Sequence, residues 1–234
     1  MSPFPDRLRE HAERNLGALV IAIEFTLISV MVGVILFPLM DFATPILRDL
    51  KFEYMLYIVS GLVLILYIWT EVISHSLSFI GWPIDIFHNL LYIVFAMVLA
   101  IQMHFLENPR AWFAITVVSA IVGTAISYYD RRLIEERMQG ATGAAAQLFA
   151  AAYKRQQSLV RTSPFTIANA FLQAALIYMF PALFLENHLH LVLVTIQIAA
   201  FLFFLRRTLS HFKAQRALIL AKAVQELAIE ERET

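Results

Sequence analysis

Six long apolar stretches occupy most of this chain: Leu16–Met40, Tyr54–Ile80, Ile84–Phe105, Trp112–Tyr129, Phe165–Leu185 and Leu189–Leu205. A helix needs roughly 20 apolar residues to cross the hydrocarbon core of a bilayer, and each stretch approaches or exceeds that length. Hydrophobic residues make up 60% of the 234 residues and charged residues 15%, with a mean hydropathy of +0.70. A soluble domain of this size could not hide so much apolar surface, so the lipid bilayer is the expected solvent. The expected fold is all-α: a polytopic membrane protein with six transmembrane helices and two helical extensions outside the membrane.

The basic residues set an orientation. Arg7, Arg9 and Arg14 precede the first stretch; Arg131, Arg132, Arg137, Lys154, Arg155 and Arg161 lie between the fourth and fifth. Arg206, Arg207, Lys213, Arg216, Lys222 and Arg232 follow the sixth, so 15 of the 18 Lys and Arg residues share one side. Only Arg48, Lys51 and Arg110 fall on the other. The positive-inside rule then places both termini and the 4–5 connection in the cytoplasm. The chain divides into membrane helices one to four (1–130), a cytoplasmic amphipathic helix (131–163), membrane helices five and six (164–205) and a cytoplasmic C-terminal helix (206–234). The first apolar run is too long for a usual signal peptide and lacks an Ala-x-Ala exit.

Local signals refine this outline. Gly81-Trp82-Pro83 predicts a tight turn between the second and third spans, and Ser163-Pro164 predicts a helix start with Ser as N-cap. Pro181 is expected to kink the fifth span. Thr116, Ser119, Gly123 and Ser127 form a small-residue strip that lets another helix approach closely. Ile134, Met138, Ala141, Ala145, Leu148 and Ala152 repeat with heptad-like spacing, as do Ala217, Leu220, Val224 and Leu227. Such seams can pair with each other or with a second copy, or the helices can lie on the membrane surface as amphipathic segments; a homo-oligomer is the expected state.

Ionisable residues inside the spans carry the functional expectation. Glu24 lies about 12 Å into the first span, and Glu71 and His75 lie about 15 and 9 Å from the Gly81 turn, at a rise of about 1.5 Å per residue. Glu71, Ser74, His75 and Ser78 share one helix face. The third span leaves the same turn with Asp85, His88 and Asn89, and the fifth adds Thr166, Asn169 and Gln173 on one face. In hydrocarbon an ionised carboxylate must face a cavity, find a partner or stay protonated. With no Lys or Arg in the spans, a protonated glutamate, a Glu71–His75 hydrogen bond or a bound cation is expected to balance the charge. Asp85 reads as a helix-start residue.

On the opposite side, His104 and Glu107 end the third span, and His188 and His190 lie between the fifth and sixth. Imidazole and carboxylate suit zinc or pH sensing, though this spacing matches no established metal motif. With Asp41 and Asp49 the same residues could form an acidic vestibule. The formal net charge of zero argues against nucleic acid as a partner. No cysteine is present, which removes disulfides, thiol catalysis, iron–sulfur clusters and Cys-ligated zinc. There is no His-Glu-x-x-His, nucleophile elbow, P-loop or dinucleotide fingerprint, and no span lysine for a Schiff base, so neither an enzyme nor a cofactor is expected. The resulting expectation is an oligomeric protein of the bilayer that conducts a monovalent cation or proton, a channel before a transporter. Glu24, Glu71, His75, His88, Asn169 and Gln173 would line the inner half of its pathway and make it pH-responsive. The alternative is a non-catalytic scaffold subunit of a larger membrane complex.

Overall fold

The computed structural model describes the backbone of residues 4–80 and 85–233, and side chains over 16–80 and 85–225. Regular structure among the described residues is entirely helical: α1 (Phe4–Arg48), α2 (Phe52–Ser78), α3 (Ile86–Met103), α4 (Pro109–Met138), α5 (Gly143–Met179) and α6 (His190–Glu233). A π-helical turn, Ala182–Glu186, links α5 to α6. The Gly81-Trp82-Pro83 turn lies outside the described residues. Its flank is visible: Asp85 caps α3 by accepting a hydrogen bond from the His88 backbone N–H at 2.8 Å, as the helix-start reading requires. Asn108 does the same for α4, with Pro109 in the first turn, where a missing N–H costs nothing.

Five segments are long and apolar enough to cross a membrane: Leu16–Arg48, Phe52–Ser78, Ile86–Met103, Pro109–Met138 and His190–Gln225. The chain is thus an integral membrane protein by length and composition. Six spans were expected and five are found by this measure, α5 not being among them. Lys154, Arg155 and Arg161 occupy its first half, and Thr166, Asn169 and Gln173 interrupt its second.

Two boundary expectations are corrected. Ser163-Pro164 does not start a helix: α5 runs unbroken from Gly143 to Met179 with Pro164 inside it. The ring of Pro164 removes one backbone donor, and Ser163 Oγ donates to the Leu159 carbonyl at 2.9 Å in the same turn. Pro181 does not kink the helix either, since α5 has already ended at Met179 and Pro181 opens the π turn. The 131–163 segment is therefore no separate amphipathic helix, because it forms the end of α4 and the first half of α5.

The helices close into a ring. α1 packs on α2 and α3, α2 on α6, α6 on α5, α5 on α4, and α4 on α3. At one end, Lys51 from the α1–α2 turn bonds Glu107 before α4, and Glu53 faces His188 at 3.4 Å. At the other end, Ser78 bonds Gln215 and the Ala144 N–H bonds the Gln225 side chain. This second end carries the α4–α5 connection and most of the basic residues, and is called the basic end below.

The opposite half of the ring is solidly packed. Trp112, Tyr57, Phe113, Leu99, Met103 and Leu106 are fully buried there, and the Trp112 ring stands edge-on to Tyr57 with centroids 5.3 Å apart. Gly61 permits the closest approach, since a Cβ in its place would lie 2.9 Å from Met103 Sδ and 3.1 Å from Leu39 Cδ1. Exposed Phe37, Met40, Ile86 and Phe165 point outward, as lipid-facing side chains should.

Candidate functional site

The glutamate of the α2 stripe has a fixed positive partner, which overturns a sequence expectation. Arg155, expected in a solvated connection, is buried on α5 and pairs with Glu71 Oε2. Its guanidinium also donates to Ser74 Oγ at 2.8 Å and to Thr208 Oγ1 at 3.2 Å, while the Thr208 hydroxyl donates to Glu71 Oε2 at 2.7 Å. Three helices thus meet on one carboxylate. The planar fork of arginine suits this role because it can serve several oxygens at once.

From the free oxygen of Glu71 a chain of ionisable groups runs toward the basic end. Glu71 Oε1 lies 3.3 Å from His75 Nε2, His75 Nδ1 lies 3.2 Å from Asp130 Oδ2, and Asp130 Oδ1 lies 3.1 Å from His88 Nε2. Both nitrogens of His75 and both oxygens of Asp130 are used, so the contacts are continuous through four side chains on three helices. The Tyr92 hydroxyl braces the middle, 3.0 Å from His75 Nδ1 and donating to Asp130 Oδ2 at 3.3 Å. His88 Nδ1 then reaches Asn89 Oδ1 at 3.3 Å, beside the α3 N-terminus.

These contacts are close but not all well aligned. Glu71 Oε1, His75 Nε2, His88 Nε2 and Asp130 Oδ1 are buried and lack a properly formed hydrogen bond. Leaving a buried polar atom so costs about 1–3 kcal/mol, more when it is charged, which groups of purely structural purpose seldom sustain.

A cavity of about 450 Å³ opens above this chain, enclosed by α2, α3, α4, α5 and α6. Its floor is Glu71, His75 and Asp130; its walls include Tyr67, Tyr92, Phe95, Phe201 and Phe204. Exposed Phe165, Thr166 and Asn169 on α5 form its rim, so access is from the side of the bundle rather than along its axis. The far end is closed by a polar layer in which Trp112 Nε1 donates to Gln197 Oε1 at 3.1 Å and Gln197 Nε2 donates to Gln173 Oε1 at 3.2 Å. Beside it, Gln102 bonds both Thr116 at 2.9 Å and Ser119 at 3.1 Å.

Of the residues singled out from sequence, Glu71, His75 and His88 come together. Asn169 reaches the cavity rim and Gln173 its far end, well separated in role from the chain. Glu24 is buried on α1 within electrostatic reach of His88 and Tyr92, and no bond joins it to Glu71. The small-residue strip of α4 lines the cavity and faces α3, where a Cβ added at Gly123 would stand at van der Waals distance from the Phe95 ring. It is not an open seam for another subunit.

The metal candidates of the opposite face are engaged singly. His104 Nδ1 lies 2.8 Å from the Ala100 carbonyl, and Glu107 holds Lys51 through both oxygens at 2.8 and 3.0 Å. That bond to Glu107 raises the Lys51 ammonium above its ordinary value. His188 faces Glu53, and His190 Nδ1 meets the Tyr57 hydroxyl at 2.9 Å. Among the described residues no group of three or more His, Asp or Glu is arranged to hold a metal ion.

Sequence reasoning missed Asp130, Tyr92, Arg155 and Thr208. Each carried a signal. Asp130 continues the Ser119, Gly123, Ser127 strip at i+3, and Tyr92 stands one turn after His88. Arg155 interrupts the apolar seam of Leu148 and Ala152 at the next seam position, where a charge is out of place unless paired. Thr208 lies on the face of Gln197, Phe201 and Phe204.

No protein-family profile, curated protein or solved structure matches this chain. What the fold and site define is a class: a helical membrane protein with a buried chain of ionisable side chains beneath a side-opening cavity.

Proposed function

We propose that this chain is a proton-linked membrane transport protein, with Glu71, His75, Asp130 and His88 carrying protons between the cavity and the cytoplasm. The observation that carries this reading is the unbroken series of 3.1–3.3 Å contacts through those four titratable groups. Acid and imidazole side chains alternate along it, which is the arrangement a proton relay through a membrane protein requires. All six helices cross the bilayer in this reading, with the basic end, both termini and the α4–α5 connection in the cytoplasm.

Arg155 redirects the expectation of a metal-cation pathway. A bound cation was one expected counter-charge for Glu71; the guanidinium supplies a fixed one at Oε2 and leaves Oε1 to exchange a proton with His75. The mobile charge is then the proton passed among Glu71, His75, Asp130 and His88. The dry packing around Tyr57, Trp112 and Leu106 favours a transporter with alternating access over an open channel, reversing the order expected from sequence.

Charged and titratable groups face the relay from five helices. They are Glu24 on α1, Tyr67 on α2, Asp85 and Tyr92 on α3, Arg155 on α5, and Arg207 and His211 on α6. Any measured pH profile belongs to this set rather than to one residue.

A second reading, a scaffold or oligomeric subunit, draws on the uncovered tail seam, where Leu220 and Val224 are 64% and 56% exposed. Purification separates the two: unrelated subunits that co-purify in fixed ratio favour the scaffold.

The decisive assay is decay of an imposed pH gradient in proteoliposomes. Asp130→Asn, His75→Gln and Glu71→Gln are expected to slow it by about tenfold or more, equivalent to roughly 1.4 kcal/mol in the barrier. Unchanged decay in all three sinks the proposal.

A further inference from the structure

The cavity has a composition the proton relay alone does not need. Its floor exposes two carboxylates, Glu71 and Asp130, and one imidazole, His75, each at least nine-tenths buried. The guanidinium bonded to the floor is committed: Arg155 gives its donors to Ser74, Glu71 Oε2 and Thr208, while Arg207 donates to Ser158. While His75 and His88 are neutral, the two carboxylates thus exceed the fixed cations of the floor by one. The oxygens left without an aligned donor are Glu71 Oε1 and Asp130 Oδ1. A buried acceptor on an anion is best satisfied by a charged N–H donor.

The rest of the cavity says what body that donor is attached to. Tyr67, Tyr92, Phe95, Phe201 and Phe204 surround the floor, and a cation near aromatic faces gains further attraction once water is excluded. At about 450 Å³, the space is that of a small-molecule site rather than of a bare ion. Entry past exposed Phe165, Thr166 and Asn169 is lateral, which selects a solute that partitions into lipid.

We infer that the substrate class of this cavity is a lipophilic amine in its protonated form, held by the floor carboxylates against the aromatic wall and exchanged for a proton of the relay. The inference rests on the proton-linked reading for the exchange and on the cavity alone for binding. As the ammonium enters, the proton held by His75 or His88 leaves toward Asn89 and the basic end. One positive charge replaces another, so the floor keeps its charge and neither species is stranded without a counter-ion. The groups that respond are the same set, with Glu24, Tyr67, Asp85, Tyr92, Arg155, Arg207 and His211 facing the relay. A neutral amphiphile would leave the carboxylate excess unanswered, and an anion would add to it.

The test is calorimetric titration of the full-length chain in lipid nanodiscs with three probes sharing one apolar cage: 1-adamantanamine, 1-adamantanol and 1-adamantanecarboxylate. The amine is expected to bind about tenfold or more tightly than the alcohol at pH 8, and the carboxylate not to compete. Lowering the pH is expected to erode that preference, because protonated imidazole competes with the ammonium as counter-charge. At the lower pH, where the imidazoles hold the proton to be exchanged, titrations in two buffers of different ionisation enthalpy should show proton release on amine binding, a measurement that needs no variant. Asp130→Asn should weaken the amine by about tenfold and leave the alcohol unchanged. Equal affinity for amine and alcohol overturns the inference, as does amine binding without proton release. Gradient decay that depends on Asp130 with no amine binding sinks this inference alone. Amine binding with gradient decay indifferent to Asp130, His75 and Glu71 sinks the proton-linked reading and the exchange with it.

Discussion

Replacing Arg155 with Met removes the fixed cation bonded to Glu71 while keeping an aliphatic side chain between α2 and α6. The loss should report charge rather than volume. Glu71 is only 9% exposed, so its carboxylate cannot recruit enough water to compensate. Taking one partner from a buried ion pair typically costs about 3–5 kcal/mol, because the other charge is stranded. Thr208 retains its 2.7 Å bond to Glu71, and Ser74 loses a donor worth about 1 kcal/mol net. At roughly 2–4 °C per kcal/mol for a chain of this size, the unfolding midpoint should fall by about 6–20 °C. Glu71→Gln should cost less, since an amide oxygen can still accept from Arg155 and Thr208. The double variant Arg155→Met/Glu71→Gln should be more stable than Arg155→Met alone, with a non-additivity of about 2 kcal/mol or more. Thermal unfolding in detergent, followed by the fluorescence of buried Trp112 and its companions, measures all four proteins. A double variant no more stable than Arg155→Met would falsify the claim that the guanidinium neutralises Glu71.

Two further outcomes follow from local geometry. Tyr57→Phe leaves buried His190 Nδ1 without its 2.9 Å partner and should lower stability by about 1–3 kcal/mol while proton flux is unchanged, because this pair lies beyond the relay; altered flux would mean the far end of the bundle takes part in conduction. Leu50 sits at φ 51° in the α1–α2 turn and is 61% exposed, so Leu50→Asn relieves a left-handed conformation at little packing cost. The unfolding midpoint should rise by about 1–4 °C, and a fall of that size refutes the strain argument.

The helices were legible from sequence because hydropathy integrates over many residues, and errors at single positions average out. The site was half legible for the opposite reason. Glu71, His75 and His88 stand inside apolar runs, where a polar residue is conspicuous. Asp130 follows Tyr129 immediately, and reading a span as ending at its first charge assigns that charge to solvent. Arg155 is lost in the same way, eight residues before the Ser163-Pro164 pair that reads as a helix start. In the folded chain α4 and α5 continue past that boundary and lean on the end of α2, burying Phe79, Ile134, Phe149 and Ala152 as a second small core. A charge that is solvated in an isolated helix becomes a buried ligand once two extended helices close over it. Helix order around the ring was likewise beyond reach, since nothing in one sequence says that α2 borders α6.

The relay also bears on why the bundle closes in this order. Glu71 on α2 needs Arg155 from α5 and Thr208 from α6; Asp130 on α4 needs His75 from α2 and His88 from α3. An arrangement that parted α2 from α5 and α6, or α4 from α2 and α3, would leave at least one of those charges in hydrocarbon without a partner, at a cost of several kcal/mol. The apolar faces alone discriminate weakly, because lipid tails satisfy them as well as a neighbouring helix does. The ionisable string therefore acts as a registry device, beside the proton path proposed for it. Single substitutions at these positions consequently mix two effects, a misassembled ring and an interrupted path. Neutral isosteres that keep the shape, such as Asp130→Asn and Glu71→Gln, separate them when folding is measured beside flux. A protein that keeps its unfolding midpoint and loses gradient decay has lost the path alone.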